Sequence, residues 1–292
     1  MSRDWRNCGT VAFNVRAMTN KAHLSRRFSL LIICVYSMAA VVYVSVIMEF
    51  NHIHSDELNN EEQQLFLKME FPFDYDVSPI REIILFVQFA QLLSNASVIG
   101  MLDALIITLM FHISGQIDIV CHDLYELFSQ KYEHNSYREA AGTLIRKHQN
   151  LIALSDNIEN LFSYIALMQF FTNTLVICCI AVVIVTSLES NQGYIVLLKS
   201  LFFYIAITLE AFIFCFAGEY LSNKSKSIAN AAYEVLWYDA KPSKSRILLI
   251  LMLRSQKRLT LTIGKFNDLS LEVFAGILKA SASYVSVLLA MS

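Results

Sequence analysis

Only 3 prolines and 8 glycines occur in 292 residues, too few to punctuate the many tight turns of an all-β sandwich or barrel. The prolines, Pro72, Pro79 and Pro242, fall outside the long apolar runs, so nothing breaks those runs as helices. Charge is scarce as well: 16% of residues are Asp, Glu, Lys or Arg against 55% hydrophobic, with a mean hydropathy of +0.48. A net charge of -2 argues against a nucleic-acid partner. No CxxC, HExxH, GxSxG or P-loop pattern is present and the seven histidines are scattered, so no enzyme, metal or cofactor constellation is expected. The six cysteines, Cys8, Cys34, Cys121, Cys178, Cys179 and Cys215, lie in the apolar runs or in the basic segments, and read as small packing residues rather than disulfides. The first 27 residues are polar and basic with no apolar h-region, so a signal peptide is not expected.

What the chain does have is long uncharged runs. Phe28 to Met48 carries no charge over 21 residues and Asn160 to Leu188 none over 29, against the roughly 20 apolar residues that a helix needs to cross a hydrocarbon core. A soluble core helix would not be apolar on every face for that distance. Weaker candidates run from Ile83 to Ile117, interrupted by Asp103, from Ile195 to Gly218, containing Glu210, and from Phe266 to Met291, containing Glu272 and Lys279. Membrane strands would alternate with period two, whereas LLIICVYSMAAVV is continuously apolar. The expected class is an all-α membrane protein, a polytopic helical bundle.

The basic residues give an orientation. Of 23 Lys and Arg, 19 fall in three segments: six before the first run, four between Lys131 and Lys147, and nine between Lys224 and Lys265. The segment from Asn51 to Pro79 has only Lys68. Short loops rich in Lys and Arg stay in the cytoplasm, which predicts a cytosolic N-terminus and, with five spans, an extracellular C-terminus. The expected division is a cytosolic segment 1–27, span 28–50, outer loop 51–81, span 82–117, cytosolic helices 118–159, span 160–188, short outer loop 189–194, span 195–220, cytosolic loop with a helix 221–265, and a final span 266–291. On this division the sequons at Asn95 and Asn223 fall in a span and on the cytosolic side, so neither should be glycosylated.

The cytosolic segments read as helices, not coil. Val120, Leu124, Leu127 and Phe128 recur at helical spacing, so the span before them continues past the membrane; Leu144, Ile145, Leu151, Ile152 and Leu154 make a second stripe, and Ser245 to Leu259 a third helix whose apolar run is too short to cross. Such stripes need cover, from one another or from a neighbouring subunit.

In the last span, Gly276, Ala280, Ser283, Val287 and Ala290 or Met291 share one helical face. Small residues on one stripe permit close helix approach; the same stripe could instead line an axial pore wetted by Ser283 and Ser286 and closed by Val287 and Met291. Spacing does not choose between these. Glu210 and Lys279 both fall near the middle of their spans, where a charge needs a partner or water, and the two are expected to approach each other or share a cavity. Asp103 has no obvious cationic partner.

Several stretches carry a family resemblance. They are Asp4-Trp5 with Met18, Ala22, Ser25 and Arg26; His148-Gln149-Asn150-Leu151-Ile152 and Ile158-Glu159-Asn160-Leu161-Phe162-Ser163 with Met168-Gln169-Phe170; Ala232-Tyr233 with Trp237-Tyr238; and above all FAGILKASASYVSVLL, Phe274 to Leu289. With these the chain resembles the insect odorant receptors, a seven-span family with a cytosolic N-terminus. The sister gustatory receptors are similar in architecture but usually end in TY-x5-QF, where this chain has VSVLLAMS after Ser283-Tyr284.

The resemblance implies a subunit of a ligand-gated nonselective cation channel, assembled as a heterotetramer with the odorant co-receptor in the plasma membrane of a sensory dendrite. It implies that small, volatile, mostly apolar ligands bind in the outer halves of the spans, where this chain offers Tyr43, Val46, Ile47, Phe86, Phe89, Ala90, Phe202, Phe203 and Tyr204. It implies a pore along the final span with Ser283 on its wall and the gate at Val287 and Met291. The family has two further spans ahead of the segment matching Asp4-Trp5; without them three of four pocket walls remain, and reduced function is the expectation. Two other classes fit the span count less well: a G-protein-coupled receptor needs the opposite orientation, and a transporter would be expected to show internal repeats and broken helices.

Overall fold

The computed structural model describes residues 12–55, 65–66, 69, 72, 79–129, 134–187, 193–235, 237–239 and 242–291. Four long helices dominate: α1 (Ala12–Ser55), α2 (Ile80–Ser129), α3 (His134–Ser187) and α4 (Gly193–Glu234). A 3-10 turn at Trp237–Asp239 leads to α5 (Pro242–Ser255), a two-stranded hairpin of β1 (Thr262–Ile263) and β2 (Asn267–Asp268), and the last helix α6 (Leu271–Met291). Pro79 sits one residue before α2 and Pro242 opens α5, the first-turn position where a missing N–H costs nothing.

Among the described residues, α1 to α4 are long and apolar enough to cross a membrane. At 1.5 Å per residue the 54 residues of α3 span roughly 80 Å, far more than a hydrocarbon core of about 30 Å. The surplus explains how spans and cytosolic stripes coexist. The stripe at Val120 to Phe128 is the end of α2, as its spacing predicts. The stripe at 144–154 is the first half of α3, continuous with the apolar run that follows it.

The boundaries differ from the sequence expectation in two places. The cytosolic helix expected at Ser245 to Leu259 runs from Pro242 to Ser255, and the final helix starts at Leu271 rather than Phe266. Both differences have one cause. Leu261 to Leu269 folds back on itself, with Thr262 opposite Asp268 and Ile263 opposite Asn267, and the Leu269 N–H closes on the Leu261 carbonyl at 2.7 Å. Gly264 and Lys265 both have positive φ, 57° and 65°, and the Phe266 N–H donates to the Ile263 carbonyl at 3.0 Å, the φ signs and bond of a type I′ turn. Ser270 then caps α6: its Oγ accepts from the Val273 N–H at 3.3 Å, and Glu272 complements the dipole in the first turn.

The main core lies where the four long helices meet. Ile106, Ile113, Ile117 and Leu124 of α2, Leu144 and Phe162 of α3 and Phe214 and Leu221 of α4 are almost wholly buried in one cluster. Small residues allow the closest approaches: a Cβ on Gly100 would sit 3.4 Å from the Tyr36 ring, and one on Gly218 only 2.4 Å from the Leu269 carbonyl oxygen. The outward faces are apolar too, with Leu31, Met38, Ile83, Phe86, Met168 and Phe171 all exposed, a surface that suits lipid rather than water.

Candidate functional site

A second, smaller core sits apart from the main one and gathers part of the expected ligand site. Tyr43, Val44 and Ile47 of α1 are buried against Phe66 from the following segment, with Leu85, Phe89 and Leu92 of α2 and Phe202 of α4 packed around them. Periodicity places the α1 set: 43, 44 and 47 share one face of the helix. The Tyr43 hydroxyl donates to the Phe66 carbonyl oxygen at 3.1 Å, and its ring meets the edges of Phe202 and Phe203 at 6.5 and 5.6 Å. Phe66 is 2% exposed, so this loop residue seals the cluster from above its aromatic floor.

The nine expected lining residues divide unevenly. Tyr43, Ile47, Phe89, Phe202 and Phe203 come together here, and Val46 is half-buried beside them in sequence. Phe86 and Ala90 are exposed on the outer face of α2, Phe86 at 70%, because they stand about 60° and about 100° round the helix from Phe89. Tyr204 turns toward α6, where its hydroxyl lies 3.3 Å from Ser281 Oγ. Sequence reasoning missed Leu65 and Phe66, both buried; their signal is a Leu-Phe pair that follows an acidic and polar stretch and opens a mixed one.

The last helix packs by one side only. Phe274 meets Phe212 of α4 with ring centroids 5.4 Å apart, and Ser281 is buried against Tyr204. On the opposite side Gly276, Ala280, Ser283 and Val287 are exposed, and a Cβ on Gly276 would meet nothing within 4 Å. Among the described residues the small-residue stripe therefore serves no helix packing. The side chain of Met291 lies outside the described residues.

Of the two arrangements expected for Glu210 and Lys279, an ion pair is not formed among the described residues: Lys279 is exposed at the flank of the open α6 face, whereas Glu210 is buried on α4, which packs on the Phe274 and Ser281 side of α6. Glu210 instead lies within Coulombic reach of Asp103 and Tyr36. Asp103 is 0% exposed and accepts a 2.8 Å hydrogen bond from the Tyr36 hydroxyl, so its partner is a phenol, not a cation. Its other oxygen, Oδ1, is buried without a partner among the described residues.

Around the end of α2 and the start of α3 the polar groups form networks. Asp118 of α2 pairs with Lys224 of α4 at 2.6 Å and with Lys21 of α1 at 3.7 Å, and Lys21 also donates to the Tyr220 hydroxyl at 3.3 Å. His122, Asp123 and Glu126 bring ligand-type atoms within 4.8 Å of one another. Lys147 already occupies Asp123 at 2.6 Å, and His122 stacks on Phe13 at 3.8 Å, so the group reads as a helix-joining network. Tyr125 donates to Glu234, which raises the phenol's pKa. Burial, with Arg254 second, lowers that of His148 below its usual 6.5.

The comparisons with known proteins fall on this architecture. The family model described as 7tm Odorant receptor matches residues 7–282. Odorant receptor 22c of Drosophila melanogaster is 24% identical over 196 residues, covering 64% of this chain and 48% of its own length. The odorant receptor coreceptor of Ooceraea biroi is 27% identical over 152 residues, covering 52% of this chain and 31% of its own length. The chain thus spans about half or less of the length of these relatives. The olfactory receptor OR5 of Machilis hrabei, solved in complex with eugenol, superposes with a TM-score of 0.74 at 15% identity, over 96% of this chain and 70% of that one, a likeness of fold.

Proposed function

The chain belongs to the 7tm odorant receptor family, and on that premise we propose that it is the odorant-sensing subunit of a ligand-gated, nonselective cation channel assembled with the odorant co-receptor. The observation that carries the reading is the open face of α6. A 21-residue helix spans about 31 Å, enough to cross a bilayer. It packs through Phe274 and Ser281 and leaves Gly276, Ala280, Ser283 and Val287 free. In an assembly of four subunits that face turns to the axis, with Ser283 wetting the wall and Val287 and Met291 forming an apolar constriction that gates by dewetting.

The ligand chamber in this reading is the cluster around Tyr43, Ile47, Phe89, Phe202 and Phe203 under Phe66. An aromatic and aliphatic lining with one phenol hydroxyl suits a small, mostly apolar molecule with few polar groups; the Machilis hrabei receptor was solved with eugenol. Phe66 occupies the space that a ligand would take, so binding displaces it and breaks the Tyr43 tether. The cytosolic N-terminus, the extracellular C-terminus and the plasma-membrane location rest on the distribution of basic residues. The relatives are odorant receptors and a co-receptor, which leaves the gustatory reading without support.

The test is voltage clamp of cells expressing this chain with the co-receptor, carrying Val287→Cys and challenged with eugenol and other volatile phenols. Externally applied thiol reagent is expected to block current through Val287→Cys and to leave Ser281→Cys, buried on the packed side, untouched. Equal modification of both positions refutes the pore assignment.

A further inference from the structure

The stretch Ile158 to Ser163 has no place in the pocket or the pore, yet the fold brings it against the hairpin that leads into α6. Glu159, Ser163 and Leu167 recur every four residues and so share one face of α3. Four polar contacts join that face to the hairpin. The Gly264 N–H donates to the Ser163 carbonyl oxygen at 3.0 Å, and the Lys265 N–H to Ser163 Oγ at 3.1 Å. The Thr262 hydroxyl donates to Glu159 Oε1 at 2.7 Å. The Ser163 and Thr262 hydroxyl oxygens lie 2.9 Å apart; since the Thr262 proton is committed to Glu159, Ser163 donates to Thr262. The protons therefore run in one direction, from the Lys265 amide through Ser163 and Thr262 to the Glu159 carboxyl group, a chain in which each bond polarises the next. Beside it Lys265 Nζ donates to Asn160 Oδ1 at 2.9 Å.

Two features make this a grip and not an incidental contact. Ser163 is 1% exposed, so its hydroxyl has no water to fall back on. Lys265 adopts φ 65°, a backbone state uncommon for a residue with a side chain that persists where surrounding contacts enforce it. Beyond the hairpin, Leu269 is wedged against Gly218 of α4 and Ser270 caps α6. The base of α6 is thus tied to α3 through the hairpin and to α4 through Leu269.

We propose that Glu159 and Ser163 are positioning residues for gating: by holding Thr262, Gly264 and Lys265 they set where the base of α6 stands, and so couple movement of α3 to the pore. This role rests on the channel reading above. Ser163→Ala and Thr262→Val cut the chain from its two sides, Glu159→Gln keeps the acceptor oxygen, and Leu161→Ala alters an exposed residue of the same turn.

The experiment is voltage clamp of the full chain with the co-receptor, probed by eugenol and a panel of volatile phenols and by ligand-independent current, with surface amounts measured by biotinylation. Ser163→Ala and Thr262→Val are expected to shift the half-maximal concentration or the ligand-independent current by about tenfold in the same direction, non-additively in the double variant. Reversal potential should stay fixed, Leu161→Ala should respond as the wild type, and Glu159→Gln, which keeps an acceptor oxygen for Thr262, should shift the curve less than Ser163→Ala. If both variants reach the surface and their dose-response curves match the wild type, the proposal is overturned; a changed reversal potential overturns it too, since that places the effect on permeation. No current from the wild-type complex above that of the co-receptor alone overturns the channel reading itself, and this role with it. Amide exchange separates the two failures: protection at Gly264 and Lys265 is expected to fall in Ser163→Ala whether or not the complex conducts.

Discussion

Replacing Tyr36 by Phe removes one oxygen atom and leaves the ring in place against Gly100, so the perturbation is confined to the bond with Asp103. That bond, 2.8 Å long, serves a carboxyl group that is 0% exposed and whose Oδ1 has no partner among the described residues. Buried polar groups left without partners cost about 1–3 kcal/mol, more when charged, and water cannot reach a fully buried side chain to compensate. The expected loss is about 2–3 kcal/mol. At roughly 2 °C per kcal/mol for a chain of this size, purified receptor in detergent should melt about 4–6 °C lower by fluorescence-detected size exclusion. Asp103→Leu combined with Tyr36→Phe removes both partners and should recover most of the loss, because an apolar pair carries no unmet hydrogen bond. A Tyr36→Phe protein that melts within about 1 °C of the wild type refutes the argument, and so does a double variant less stable than either single one.

Gly218→Ala places a Cβ 2.4 Å from the Leu269 carbonyl oxygen, a backbone atom that cannot rotate away; the overpacking should cost about 1–3 kcal/mol and be visible as a lower melting temperature. Phe66→Ala empties the space beside Tyr43, Ile47 and Phe89, and should lower the half-maximal concentration of bulky volatile phenols relative to small ones in the same voltage-clamp assay. His148 has its pKa lowered first by burial and then by Arg254. From about pH 6.5 downward the unfolded chain takes up a proton that the folded chain refuses, so stability present above that pH is lost as pH falls. Melting temperature should therefore drop between about pH 7 and 5.5, and less steeply in His148→Gln; equal slopes would remove His148 from the account.

How much of this was legible in the sequence depends on the range of the interaction. The helices of α1 and α3 could be read from uncharged runs of membrane length, and the extension of α2 past the membrane from Val120, Leu124 and Leu127, because hydropathy and period are local. Tyr43 and Ile47 could be picked as candidate lining since a helix places them on one face. Phe86 was chosen on the same logic and stands exposed, because spacing names the members of a face but not which face turns inward. The hairpin went unread for another reason: Gly264-Lys265 is a weak turn signal at the seam between the loop expected to end at 265 and the span expected from Phe266, and its conformation is held by α3 as well as by its own backbone bonds.

The pairing of charges shows the same division. Midspan position predicts that Asp103, Glu210 and Lys279 need company, but position along a helix says nothing about azimuth, and among the described residues Glu210 and Lys279 form no ion pair. The amino-acid sequence by itself determined that this chain makes long apolar helices with basic ends, since those follow from composition and 3.6-residue periodicity within a few turns. Only the tertiary structure decided that Tyr36 meets Asp103, 67 residues away, that Thr262 meets Glu159 across 103, and that the small face of α6 stays open, because contacts between distant segments depend on how whole helices rotate and pack against one another.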